Sequence, residues 1–424
     1  MKKFLAIWLG EFISNIGSGM TAFALSIYVY EQTNSVGYVS AVALAAFLPT
    51  ILLNPIGGVL ADRYDRRLLM LIGDFFSGLG VLFILLNIHF FTPNIWLIIF
   101  FVAFSGIFVA LLEPSFKATI TDLLSKQYYA KASGMVQISG NARYLLSPIL
   151  AGVLLSVFDI KVILIIDICT FFVTLVITSI VRRSIKVPVK KEEKKSFTVE
   201  MKEGFEYLKS KKGIKNLVLL MAILCFFIGF IQTLIVPMTL NLSDAKTVGF
   251  LESACAVGMV ISSILIGVFG IRSRYVKTLS LAGMSASLFM ALIGVSVNLN
   301  VIGIVAFLFF FCLPFLNTVA DGLIRNNVDN EIQGRVWGII SLISQIGTAI
   351  AYALSGVLAD RIFEPLLLEN GALAKTVGNI IGVGKGRGIG LMLIIAGIGM
   401  FIVMFVLGRN KEISKLERNI KTNT

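Results

Sequence analysis

Histidine occurs once and cysteine four times in this chain of 424 residues, and only 14% of it is charged. Each scarcity removes a class of function. Cys169, Cys225, Cys255 and Cys312 lie singly inside apolar runs with no CxxC spacing. That pattern argues against a disulfide framework or a thiolate metal site and predicts four small buried apolar side chains. His89 stands at the end of an apolar run beside Phe90 and Phe91, the place of an interfacial residue. A membrane-embedded enzyme would need clustered catalytic groups such as an HExxH motif or a paired Ser and Lys at depth, and the sequence offers none, so the chain reads as a non-enzyme. A nucleotide loop is missing too. In GNIIGVGKGRGIG the Walker spacing requires Gly six residues before Lys385 and Ser or Thr after it, where Asn379 and Gly386 stand. No cofactor is expected.

Apolar residues make up 57% of the chain, and mean hydropathy is +0.90. One soluble core cannot hide that much apolar surface, so lipid must cover it. A bilayer needs about 20 apolar residues per helical span, and runs of that length fall at 4–30, 36–61, 68–90, 95–122, 133–157, 160–181, 214–240, 247–270, 277–296, 300–324, 335–359 and 387–408. Helices are required because lipid offers no partner to an unpaired backbone group, and the period-2 alternation of a barrel is absent. The start, MKKFLAIWLG, imitates a signal peptide, but the apolar run continues to Tyr30 with Glu11 and Asn15 inside it. It reads as a first membrane helix. The fold class is therefore an all-α membrane protein of twelve transmembrane helices in two six-helix halves. Its expected parts are an N-terminal bundle at 1–181, a linker with an amphipathic helix at 182–213, a C-terminal bundle at 214–408 and a basic tail at 409–424.

The formal net charge of +13 would suggest nucleic acid in a soluble protein, but its distribution says otherwise. With the N-terminus inside, the inner face receives Lys2, Lys3, Arg63, Arg66, Arg67, Lys126, Lys131, the twelve basic residues from Arg182 to Lys215, Arg272, Arg274, Lys277, Arg325, Arg335 and the basic tail. The outer face receives Lys161, Lys246, Arg361, Lys375, Lys385 and Arg387. This is the positive-inside pattern, and it places both termini in the cytoplasm of a cell-membrane protein with no nucleic-acid partner. The inner basic face should meet anionic lipid. An internal repeat supports the two halves: Gly134-Met-Val-Gln followed by Gly152-Val-Leu resembles Gly334-Arg-Val-Trp followed by Gly356-Val-Leu. Repeated halves suit rigid-body alternating access.

The sharpest motif joins the second and third spans: Gly58-Val-Leu-Ala-Asp62-Arg63-Tyr64-Asp65-Arg66-Arg67. It resembles the G-x-x-x-D-[RK]-x-G-[RK]-[RK] loop of the major facilitator superfamily, with Asp65 where that family usually has glycine. The resemblance implies that Asp62 interacts with the eleventh helix, that Arg66 pairs with an acid at the inner end of the fourth, here Asp122, and that together they latch the outward-facing state. On the fifth span, Ser147-Pro148 and Gly152 are a degenerate match to the family's antiporter motif, in which glycines and proline bend the helix. FLAIWLG, ADRYDRR, SPILAGVLLSVFD, EMKEGFEYLK and LSGVLADR resemble the macrolide-efflux branch of that superfamily over nearly the whole chain. The branch implies proton-driven export of amphipathic drugs such as macrolides. An exporter or flippase of an amphipathic metabolite, lipid or siderophore is the alternative. The partners expected are a small amphipathic substrate, protons and membrane lipid, with the chain as a monomer.

Ionisable groups at membrane depth cost several kcal/mol unless they are paired or line water, so the few present are informative. Glu11 shares a helical face with Ser14, Asn15 and Ser18. Glu113 has two readings, a midplane partner of Arg143 or an i,i+4 pair with Lys117. Asp74, Asp167, Glu252 and Asp321 complete the set, with Asn317 one turn from Asp321. The family resemblance, in which the first, fourth, seventh and tenth helices line the cavity, favours Glu11, Glu113 and Asp321 as proton-coupling groups over Asp74 and Asp167. Gln137, Asn141, Gln232 and Gln345 are further cavity candidates or helix-to-helix glue.

Overall fold

A computed structural model of the protein describes residues 1–90, 92–183, 197–271, 274–329 and 332–422. Its regular elements are helices: α1 (Lys2–Thr33), α2 (Val36–Arg63), α3 (Arg66–Phe90), α4 (Ile95–Leu123), α5 (Tyr129–Leu145), α6 (Ser147–Leu155), α7 (Ile160–Arg183), α8 (Phe197–Ser210) and α9 (Lys212–Leu240). There follow α10 (Ala245–Phe269), α11 (Tyr275–Val295), α12 (Leu299–Arg325), α13 (Gln333–Leu358), α14 (Glu364–Leu367), α15 (Gly378–Ile381), α16 (Arg387–Gly408) and α17 (Lys411–Thr422). Among the described residues, twelve stretches are long and apolar enough to cross a membrane, the fifth made of α5 and α6 together. All twelve expected spans are present, and the protein is a multi-pass membrane protein.

Local sequence sets where these helices begin and bend. Ser35, Asn94 and Asn298 each stand before a helix in extended conformation and accept a hydrogen bond from a first-turn N–H, which satisfies one of the orphan donors of a helix start. Asn34 closes α1 in the left-handed region, at φ 51°. The fifth span divides at Leu146, and Pro148 sits in the first turn of α6 where its missing N–H costs nothing. The eleventh span runs on past its expected end. Polar Asp360 and Arg361 fall in a π-helical turn, Ala359–Phe363, that leads directly into α14. Glu364 then accepts from the N–H groups of Gly386 and Ile389 at 3.1–3.2 Å, the donors left over at the start of α16. Arg387, only 4% exposed, gives its guanidinium to the carbonyls of Gly294, Val295 and Ser296 at the end of α11.

The chain forms two compact units, residues 1–193 with 244–253, and 194–243 with 254–424. In the first unit, Ile7, Met70, Phe116 and Val181 form one apolar cluster, and Phe4, Ile120, Leu124 and Ala132 form another. In the second, α8 docks through the Arg335–Glu203 ion pair and through Gly204, against which Ile339 and Arg335 pack. The α17 helix is held by Glu417, which accepts from the N–H of Val276 at 3.0 Å, and by the Leu416 carbonyl, which accepts from Asn327. Residues 184–196 of the expected linker lie outside the described residues.

The α6 start and the first turns of α10 meet within the first unit. Backbone meets backbone there, because a Cβ at Gly249 would fall on the Pro148 carbonyl oxygen and one at Gly152 would lie 2.7 Å from that of Ala245. Gly249→Leu should therefore force these helices apart and lower stability by about 1–3 kcal/mol, the usual cost of overpacking. A detergent melting curve matching wild type would refute this.

Candidate functional site

The loop between α2 and α3 is built as an ionic knot. Arg66 gives Nη1 to Asp122 at 2.7 Å and to the Ala118 carbonyl at 2.8 Å, while its Nε reaches the Ala61 carbonyl. Arg67, 1% exposed, adds its Nη2 to the other oxygen of Asp122 at 3.1 Å. Asp65 accepts from the Arg67 N–H, ordering the first turn of α3, and pairs with Arg182 at the end of α7 at 2.7 Å. Four helices, α2, α3, α4 and α7, are thereby tied at one end of the unit. Gly58 has no neighbour that a Cβ would meet, and Arg63 is exposed. The Asp62 side chain lies outside the described residues, and so does its expected interaction with the eleventh span. The sequence marks Asp65 as a departure from a motif and leaves its partner unnamed. The signal that could have found it is an acid just before α3 facing Arg182 and Arg183 at the end of another span on the same side.

Inside the same unit the polar face of α1 is spent on its neighbours. Trp8 donates to the Met135 carbonyl at 2.7 Å and Asn15 to Ser139 at 3.1 Å, so α5 is held by hydrogen bonds. Ser147 donates to the Ile16 carbonyl at 2.9 Å, and Ser147 and Arg143 fill the space that a Cβ at Gly19 would need. On the α7 side, Thr174 donates to the Gly10 carbonyl, and Asp167 accepts from Ser18 and Thr170. Arg143 lies within electrostatic reach of Asp167. Asn15, expected among cavity or coupling groups, thus ties helices together, and Arg143 stands by Asp167 rather than by Glu113.

Glu11 and Asp74 stand apart from most of these, although Asp167 also leaves its buried Oδ2 without a donor among the described residues. They are 8% and 1% exposed, yet Oε1 of Glu11 and both carboxyl oxygens of Asp74 meet no hydrogen-bond donor among the described residues. Burying an ionised carboxyl without a partner is among the most costly arrangements in a protein. Stability does not account for such groups.

The remaining candidates sit at more exposed places. Glu113 pairs with Lys117 one turn away, with side chains 61% and 58% exposed, because an i+4 lysine is always within reach whereas a residue on another helix must be brought there by packing. Asp321 pairs with Arg325 at 2.7 Å in the same manner, and that guanidinium lies over the Trp337 ring. Asn317 lines an apolar pocket with Leu217, Met221, Cys225 and Leu313. Tyr352 donates to Gln232 and Gln137 to Asn141, both as helix-surface pairs. His89 is exposed and stacks edge-on against Phe90. Cys255 and Cys312 are buried, but Cys169 is exposed and Cys225 half-buried. The expectation of four buried thiols fails there because an outward face of an apolar span is as hospitable to a small thiol as an inner one.

Twelve apolar spans, an ionic knot at the helix ends of one six-span unit and buried, unengaged carboxyls in its interior define a polytopic membrane transporter rather than an enzyme. The family model of the Major Facilitator Superfamily matches residues 7–352, and the chain belongs to that superfamily. It is 28% identical to macrolide efflux protein A of Streptococcus pyogenes, over 85% of this chain and 90% of that one. It is 22% identical to the enterobactin exporter EntS of Escherichia coli O1:K1 / APEC, over 96% and 93%. A crystal structure of a nucleoside transporter superposes with a TM-score of 0.74 at 12% identity, covering 96% of this chain and 99% of that chain, which speaks to the fold alone.

Proposed function

We propose that this transporter exports small amphipathic molecules, macrolide-like drugs foremost, in exchange for protons through alternating access. The observation that carries the exchange reading is Glu11: a buried carboxyl on the polar face of α1 with an oxygen that no group among the described residues engages. A group that can be charged or neutral inside a membrane domain couples its protonation to any motion that changes its access to water. The substrate class rests on the likeness to macrolide efflux protein A along most of both chains. A siderophore is the second reading, favoured by the likeness to the enterobactin exporter.

In this reading Gly58, Asp62, Arg63, Arg66, Arg67 and Asp122 form the conformational latch, and Ser147, Pro148 and Gly152 bend the fifth span. Both termini face the cytoplasm of the cell membrane, and anionic lipid meets the basic face. The chain works as a monomer. Inverted vesicles carrying the protein, given an imposed pH gradient, should accumulate labelled macrolide, and a protonophore should abolish the accumulation. Accumulation of enterobactin alone would move the assignment to the second reading, and gradient-independent behaviour of every compound would remove the proton-exchange mechanism.

A further inference from the structure

Packing fixes the depth of the two unengaged carboxyls. Ile7 of α1, Met70 of α3 and Val181 of α7 share one apolar cluster. Residue numbers rise along α1 as they fall along α7, since Gly10 packs on Thr174 and Gly17 on Thr170. Four residues beyond Ile7 and Met70, about 6 Å along each helix, stand Glu11 and Asp74. Thr178, three residues before Val181, lies about one turn from that level in the register that the contacts of Gly10 with Thr174 and of Gly78 with Phe171 set. Thr178 is fully buried and its hydroxyl also has no partner among the described residues. Glu11 and Asp74 lie within electrostatic reach of one another. Two helices therefore bring three unengaged carboxyl oxygens to one level of the buried interior, with the Thr178 hydroxyl about one turn away.

The nearby cations are committed elsewhere. On α3, Arg66 and Arg67 serve Asp122, with Arg67 two turns from Asp74. On α7, Arg182 serves Asp65, and Asp167 takes its hydrogen bonds from Ser18 and Thr170. On α4, Lys117 serves Glu113, and on α5 Arg143 stands by Asp167. Lys2 and Lys3 lie at the start of α1, more than two turns from Glu11. Among the described residues no cation is thus at hand to compensate two carboxylates, and like charges away from water repel.

We propose that Glu11 and Asp74 hold a single proton between them, in a site that α1 and α3 build beside α7. The O–H of one carboxyl donates to an oxygen of the other, so the pair carries one negative charge, and loss of that proton leaves two carboxylates that only hydration can stabilise. The proposal deepens the exchange reading above and rests on it for what the proton drives. It assigns a coupling role to Asp74 on the third span, which the family resemblance sets aside.

The test is infrared spectroscopy of the purified full chain in lipid nanodiscs at neutral pH, which needs no substrate. A carbonyl band of protonated carboxylic acid that shifts in deuterium oxide is expected in wild type. Glu11→Gln and Asp74→Asn should each remove the same band, and Asp167→Asn should leave it. Asp74→Glu keeps a carboxyl in place and should retain the band at an altered frequency, which guards against misfolding of the asparagine variant. The proposal is overturned if either single removal leaves the band unchanged, or if sodium chloride but not choline chloride raises the melting temperature of wild type and not of the two variants, which would make the site a metal-ion site. A band that behaves as expected alongside export that ignores the pH gradient would sink the exchange reading and leave the shared proton standing. Gradient-driven export with no such band would do the reverse.

Discussion

Asp122→Ala should cost about 3 kcal/mol of stability, the lower end of the range for removing one partner of a buried ion pair. The two arginines on Asp122 are not equivalent. Arg66 is 23% exposed and keeps two backbone carbonyls when the carboxylate goes, so its share is the screened, sub-kilocalorie share of a surface pair. Arg67 is 1% exposed, and its Nε and Nη1 already lack partners. Without Asp122 its guanidinium is a buried charge with no counter-ion. Asp122 itself is 30% exposed, which is why the lower end applies. Thermal unfolding in detergent, followed by near-UV circular dichroism, reads the loss directly. Arg66→Gln should lower the melting temperature by much less than Asp122→Ala. Equal effects would show that Arg67 is not the group that needs the carboxylate. Transport should fall with Asp122→Ala as well, since the same contacts form the proposed latch.

Glu11→Gln should abolish accumulation against an imposed pH gradient while leaving substrate exchange without a gradient intact. Glu113→Gln should leave both near wild type. The contrast arises from surroundings rather than from chemistry, for both are glutamates inside apolar spans. Glu113 has a permanent cation in Lys117, largely exposed, and such i,i+4 pairs contribute about 0.3–0.5 kcal/mol and tolerate loss. Glu11 has no cation on its own helix within a turn, and its neighbour Asp74 carries the same sign. Neutralising it removes the one group on the polar face of α1 whose charge can change. Counterflow and gradient-driven uptake in the same vesicles separate the two effects. Loss of coupling in Glu113→Gln, or its retention in Glu11→Gln, would reverse the assignment.

Much of the ionic knot is legible in the sequence. The Arg66–Asp122 contact is implied by a motif and an acid at a span end, because ends of helices on one side of a membrane are confined to a thin layer where opposite charges find each other. The helical break before Pro148 comes from a ring that lacks an N–H. The Asp65–Arg182 pair is within reach of the same argument but needs α7 to be placed beside α3. The ranking of the buried acids is not legible. The family resemblance favours Glu113 and Asp321 over Asp74 by the helix they sit on, yet each of the favoured two has an i+4 cation and an exposed side chain, whereas Asp74 has neither.

The twelve helices were determined by the sequence alone, because hydropathy is a sum along one helix and lipid enforces it whatever the neighbours are. Which side chain of each helix faces its neighbours was decided only by the tertiary structure. That depends on how each helix is turned about its axis, and in most of these spans apolar residues surround the helix, so outside the polar face of α1 no stripe in the sequence marks the inner face. Glycine contacts such as Gly10 on Thr174 and the cluster of Ile7, Met70 and Val181 set that rotation. With it they bring Glu11 and Asp74 to one level of the first unit.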